Sequence, residues 1–107
     1  MFSFKKKLKP RFLGQSLSDF PSIIKGDIVY LIGEKKCKWV AAFICPCGCK
    51  EVIQLNLLKE GSVCWKVTLH RDRSVTIRPS VWRTTGCRSH FTIRRGQLNW
   101  FGDLSDL

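Results

Sequence analysis

Three cysteines in five residues, Cys45-Pro46-Cys47-Gly48-Cys49, restrict this chain more than any other stretch in it. Neighbouring Cys-x-Cys side chains rarely reach disulfide geometry, so thiols this close do not satisfy one another by pairing. They can converge on one metal ion, with Pro46 and Gly48 bending the backbone around it. A tetrahedral site takes four ligands, and a second cluster, Gly86-Cys87-Arg88-Ser89-His90-Phe91, offers Cys87 or His90 as the fourth. The set Cys45, Cys47, Cys49 and Cys87 makes a closed, structural thiolate shell and leaves His90 free, and it is the set expected here. Zinc suits it best. An iron–sulfur centre is the rival, and the lack of paired Cys-x-x-Cys knuckles or a Cys/His pair on each side argues against a Rieske-type site.

A chain of 107 residues makes one domain with a modest core, for which a metal is a useful staple. Six cysteines in so short a chain also suit a secreted disulfide scaffold, but the clustered spacing is a metal pattern. Met1-Phe2-Ser3-Phe4-Lys5-Lys6-Lys7 leads into no apolar h-region, and the longest apolar run, residues 39–45, is too short to span a bilayer. A reducing, bacterial-type cytoplasm is the expected location, with Cys37 and Cys64 as free thiols acting as small hydrophobes or surface groups. The net charge of +11 points to acidic partners: nucleic acid, an acidic protein surface or anionic lipid. Much of it lies in Lys5, Lys6, Lys7, Lys9 and Arg11, then Arg71, Arg73, Arg94 and Arg95, where it serves either solubility or a binding face.

Residues 1–22 read as a basic extended N-terminal arm, with a short turn of helix around residues 15–19; residues 23–107 read as a zinc-stabilised β domain. Residues 27–32 and 38–44 are apolar runs rich in strand formers. In residues 51–58, Ile53, Leu55 and Leu57 alternate with Gln54 and Asn56. After a turn at Gly61, Val63, Trp65, Val67 and Leu69 form an inward face, with Cys64, Lys66, Thr68 and His70 outward. Arg71-Asp72-Arg73-Ser74 is a hairpin turn in which Asp72 does plain turn chemistry, and Arg94-Arg95-Gly96-Gln97 is a second. No stretch has a helical period. The fold class is all-β, a small open barrel or a two-layer antiparallel sheet, stapled by a four-cysteine zinc site.

His90 alternates with Phe91 and Ile93 and so points away from the face they bury. On the preceding strand Ile77, Pro79 and Val81 share one face, and Arg78, Ser80 and Trp82 the other. Antiparallel pairing around a turn at residues 84–86 therefore projects Ser80 and His90 to the same side, as a hydroxyl nucleophile and an imidazole base require. Ser89 is nearer in sequence, but reaches His90 only if the knuckle breaks the alternation. The turn amides of residues 86–88 offer an oxyanion hole, and Arg78 or Arg88 a carboxylate partner. The bland alternative is that serine and histidine merely donate hydrogen bonds to the thiolates.

Cys-Pro-Cys-Gly-Cys, then Pro79-Ser80-Val81-Trp82, then Gly86-Cys87-Arg88-Ser89-His90-Phe91, then Arg95-Gly96-Gln97-Leu98-Asn99-Trp100 resembles a small bacterial zinc-binding family, long counted as a domain of unknown function. Its members are encoded beside ubiquitin-like proteins and homologues of ubiquitin-activating and ubiquitin-conjugating enzymes. The resemblance, which runs from about Gly26 to Trp100, implies a deubiquitinase-like serine peptidase. Such an enzyme trims a ubiquitin-like precursor after its C-terminal glycine, or frees a conjugate, through an oxyester acyl-enzyme. By position the metal ligands are Cys45, Cys47, Cys49 and Cys87, and the catalytic candidates are Ser80, Ser89 and His90. Two positions depart from the pattern: Lys50 where a glycine is expected, and Phe43 where some relatives carry histidine.

The leading expectation is thus a zinc-containing cytoplasmic serine peptidase acting on a ubiquitin-like protein, with His90 as base, Ser80 as nucleophile on strand parity and Ser89 behind it. One rival is a zinc-ribbon-like nucleic-acid binder, supported by charge and by aromatics such as Trp82 that stack on bases. Another is a non-catalytic adaptor in a ubiquitin-like operon with a role in antiphage defence or modification.

Overall fold

The apolar alternation of this chain is realised as two stacked sheets. A computed structural model describes residues 11–58, 64–83 and 86–101. Among these residues there are eight strands and no helix, and none that could cross a membrane as a long apolar helix. The first sheet is, in order, β1 (Leu13–Leu17), β2 (Ile28–Gly33), β3 (Lys38–Ile44) and β4 (Val52–Asn56). The second is β5 (Lys66–Leu69), β6 (Val75–Trp82), β7 (His90–Arg94) and β8 (Gln97–Trp100). The fold is therefore all-β and two-layered, without closing into a barrel. One pairing is not antiparallel: β1 runs parallel to β2.

The core lies between the layers. Val29, Leu31, Ala41, Phe43, Ile53 and Leu55 of the first sheet meet Val75, Ile77, Val81, Phe91 and Ile93 of the second. Phe43 stands at the centre, edge-on to both Phe12 and Phe91, with ring centroids 6.2 and 6.3 Å apart. Each such side chain contributes roughly 1.5–3 kcal/mol on burial, and this seam holds the sheets face to face. Strand β2 is buried on both faces. Tyr30 and Ile32 sit with Ala42 on its outer side under Leu17 and Ile24, and the Lys25 amide donates to the Tyr30 hydroxyl at 3.0 Å.

The N-terminal arm needs correction. Residues 15–19 hold no turn of helix; Leu13–Leu17 is a strand, and Phe12 before it is buried in the core. The physical reason is Gly14. A Cβ there would stand 2.6 Å from Leu69 Cδ1 and 2.7 Å from Val75 Cγ1. Only a bare backbone can press so closely on the β5–β6 hairpin, where the Gly14 amide donates to the Arg73 carbonyl at 2.7 Å and Leu13 bridges Ser74. Strand β1 thereby ties the two sheets at one corner.

The hairpin turns follow their residues. Arg95 and Gly96 have φ of 48° and 77°, the positive pair of a type I′ turn between β7 and β8. Asp72 accepts from the Ser74 amide at 2.9 Å and hydroxyl at 2.6 Å, which is local turn chemistry. Trp65, just before β5, and Val67 on it pack on the core as the alternation predicts, and Leu69, paired with the buried Val75 on the same face, is half exposed at the strand's end. Pro79 is exposed too, because β6 bulges there. The expected turn at Gly61, Val63, most of the 84–86 turn and Lys5 to Lys9 lie outside the described residues.

Candidate active site and metal centre

Strand β3 ends by delivering Cys45 into the core edge, and the following knuckle returns to β4 with the Cys45 amide bonded to the Glu51 carbonyl at 2.8 Å. Gly48 and Lys50 take positive φ, 98° and 66°, which folds Cys47 and Cys49 back over Cys45. Lys50 thus occupies the left-handed conformation for which glycine is the usual residue. Gly86, at φ 68°, turns Cys87 in from the start of β7. The four sulfurs lie within 4.8 Å of one another, and none is in a disulfide. Cys45 Sγ is 3.4 Å from Cys47 Sγ and 3.6 Å from Cys87 Sγ. Four thiolates about 2.3 Å from a tetrahedral ion stand about 3.8 Å apart, so the donor set fits one metal ion. Cys37 and Cys64 are exposed free thiols away from this group.

Arg83 caps the cluster. Its Nη1 lies 3.4 Å from Cys87 Sγ and 3.7 Å from Cys49 Sγ, while its Nη2 donates to Glu51 Oε2 at 2.6 Å. Glu51 thereby aims a fixed positive charge at thiols that a metal would hold as anions. Ser89 completes the shell: it is buried, with Oγ 3.1 Å from Cys87 Sγ and 3.8 Å from Cys45 Sγ. Hydrogen bonding from Ser89 lowers the Cys87 thiol to about 6 and also lowers Cys47, whereas burial pushes Cys45 up to about 12. The three thiols are therefore electrostatically unequal, with Cys87 the readiest to ionise.

On the opposite face of the second sheet lies the serine–histidine pair. Strand β6 pairs with β7 through Ile77↔Ile93, Val81↔Phe91 and Trp82↔His90. Between the first two pairs, Arg78, Pro79 and Ser80 oppose Thr92 alone, so β6 carries a bulge. A bulge next to a site re-aims side chains, and here Ser80 Oγ comes 2.8 Å from His90 Nε2. The Ser80 carbonyl is held from below by Trp65 Nε1 at 3.2 Å. The imidazole is stacked between Trp82, at 5.1 Å and 19°, and Phe101, at 4.4 Å and 24°. This arrangement presents a hydroxyl oxygen to a ring nitrogen in proton-transfer contact, with the ring plane fixed on both sides.

The sequence candidates are thus divided. Ser80 and His90 are brought together, and Ser89 is turned to the thiols. His70 lies on the outer face, with Nε2 2.6 Å from Thr76 Oγ1. The residues 86–88 carry Cys87 to the metal cluster. Sequence reasoning missed Arg83, Glu51, Trp65 and Phe101 as site components. Phe101 was within reach: the β7–β8 register pairs Phe91 with Trp100, and one step further the Phe101 amide donates to the His90 carbonyl at 2.8 Å.

Residues 16–101 match the model of a family described as bacterial ubiquitination-like system serine protease (BubE). Comparison with curated proteins and with solved structures gave no match.

Proposed function

This chain belongs to the BubE family of bacterial ubiquitination-like system serine proteases, and from that premise we propose that Ser80 and His90 form its catalytic pair. The observation that carries the assignment is the 2.8 Å contact between Ser80 Oγ and His90 Nε2. Neutral His90 accepts the hydroxyl proton at Nε2 as Oγ attacks the carbonyl carbon of a glycine at the end of a ubiquitin-like protein. The imidazolium then returns that proton to the leaving amine, which is an extension of the precursor or a lysine of a conjugate. The product is an oxyester between Ser80 and the ubiquitin-like tail. A water, deprotonated by the same nitrogen, hydrolyses it and restores Oγ–H.

Zinc is the metal we assign to Cys45, Cys47, Cys49 and Cys87, and its contribution is structural: a closed thiolate shell fixes the knuckle against β7. Clustered free thiols of this kind suit a reducing cytoplasm, where we place the protein, and a part in antiphage defence belongs to the same proposal.

Incubation of the zinc-loaded protein with the ubiquitin-like precursor of its own system, followed by intact mass, tests the assignment. Wild type should remove the residues after the glycine, and Ser80→Ala and His90→Ala should not, with zinc content and fold retained. Cleavage by the Ser80→Ala variant at the wild-type rate would sink it.

A further inference from the structure

The outer face of the second sheet does not end at Ser80. A groove of about 320 Å³ runs from Ser80 along β6 past Arg78, with Thr92 and Arg94 on its other wall. It opens through Thr76, Arg78 and Arg94, which line both hollows, into a second one of about 280 Å³ that Lys66 and Arg95 also line. Four cations thus converge on one small space, and no acidic residue lines either hollow among the described residues. The ion pairs among the described residues are Arg11–Asp27 and Arg83–Glu51, so these four have no carboxylate partner there. Like charges gathered in a concave site repel one another, and the field they focus is relieved by an anion from outside.

We infer that this hollow is the subsite for acidic side chains of the substrate tail, three or four residues before the scissile glycine carbonyl. The inference rests on the catalytic reading of Ser80 and His90. The spacing comes from the strand: Thr76 is four residues from Ser80. With the bulge shortening that span, the hollow lies about 10–13 Å away, the reach of three or four extended residues. The acyl side is chosen on chemistry. Precursor and conjugate differ in the amine that leaves, but share the tail that stays on Ser80 as the oxyester. A subsite that serves both must read that tail. Arg78 and Arg94 flank both hollows and so are specificity-determining positions.

Binding, not turnover, tests this. Zinc-loaded full-length Ser80→Ala protein is titrated with fluorescent eight-residue peptides ending in Gly-Gly-amide. One bears two glutamates three and four residues before the terminal glycine, and the other bears lysines there. The glutamate peptide should bind at least tenfold more tightly, with an advantage that shrinks as salt rises. Arg94→Glu should remove that advantage and invert it toward the lysine peptide, and Arg78→Gln and Arg94→Gln should fall between. Equal affinity for the two peptides, or a preference unmoved by these substitutions, would overturn the inference. So would a single-stranded oligonucleotide that binds more tightly than the glutamate peptide at equal ionic strength and loses affinity with Arg94→Glu, since the hollow would then belong to nucleic acid. Labelling of wild-type Ser80 by a fluorophosphonate reads the catalytic pair without any peptide, so failure of that reading is seen separately.

Discussion

The Ser89 hydroxyl lies 3.1 Å from the Cys87 sulfur, while the next residue, His90, turns its ring away to meet Ser80 at 2.8 Å. Strand alternation separates these two roles across one peptide bond. The metal shell and the serine–histidine pair are therefore mechanically joined but chemically distinct. A metal that held the Cys87 turn would also hold His90, three residues on, in its contact with Ser80.

That division predicts different losses for the two serines. Ser89→Ala should weaken metal binding by about tenfold, in the range found when outer-shell partners of metal ligands are removed. At saturating zinc it should still process substrate. Ser80→Ala should hold zinc as wild type does and process nothing. Chelator competition and intact mass on the same samples check both halves, and the reverse pattern would make Ser89 the nucleophile.

The thiols predict a pH profile for the metal-free protein. Cys87 is lowered from 9.0 to about 6 in the folded state, so its contribution is complete above pH 9 and is lost as pH falls through 6. Cys45 is raised from 9.0 to about 12 and works the other way, costing stability as pH rises from 9 toward 12. Urea midpoints of the chelated, reduced protein should therefore climb between pH 6 and 9 and decline above 9. With zinc bound, all four ligands are held as thiolates and the climb should move to lower pH, where protons displace the metal. A midpoint for the chelated protein that is flat from pH 6 to 9 would contradict this.

Much of this was legible in the residues, for identifiable reasons. The knuckle Cys45-Pro46-Cys47-Gly48-Cys49 with Cys87 is a short-range pattern whose chemistry admits few solutions, and the sulfurs do converge. The placement of Ser80 and His90 on one face followed from period-two alternation. Its accuracy was partly fortunate: the β6 bulge, which parity does not foresee, sets the actual contact and leaves Pro79 outside the core. Strand β1 was not legible, because its partner β2 is buried on both sides and its own key residue, Gly14, carries no side chain to show a pattern. Arg83 and Glu51 meet across 32 positions, a pairing that composition cannot announce. Lys50 marks the one motif position where the expected glycine is absent while its backbone conformation, φ 66°, is kept.

Gly14 carries its own prediction. Gly14→Ala drives a methyl into Leu69 Cδ1 and Val75 Cγ1, and overpacking of this kind costs about 1–3 kcal/mol. Tm should fall by about 5–15 °C. Because Leu69 is half exposed, adding Leu69→Ala to the same chain should recover part of the loss, whereas the Val75 contact lies in the core and cannot yield. A Gly14→Ala protein as stable as wild type would remove β1 from its place against the hairpin.

The stack on His90 gives the last prediction. Among the described residues no carboxylate pairs with His90, and its ring is instead held between Trp82 and Phe101. Trp82 is 64% exposed, so it makes a face of the site and is not needed for the core. Aromatic stacking of this kind contributes about 0.5–1.5 kcal/mol, and losing one wall frees the imidazole to leave the 2.8 Å contact with Ser80. Trp82→Ala should then lower kcat by about threefold to tenfold while leaving zinc affinity and Tm near wild type. Trp82→Phe, which restores a flat face, should recover most of the rate. Phe101→Ala should act in the same direction, and the double variant should lose more than either alone. If Trp82 only bound substrate, KM would rise with kcat unchanged; if it only supported the fold, Tm would fall with zinc release. A lower kcat with both other readouts intact is the signature of a wall that keeps the base aimed.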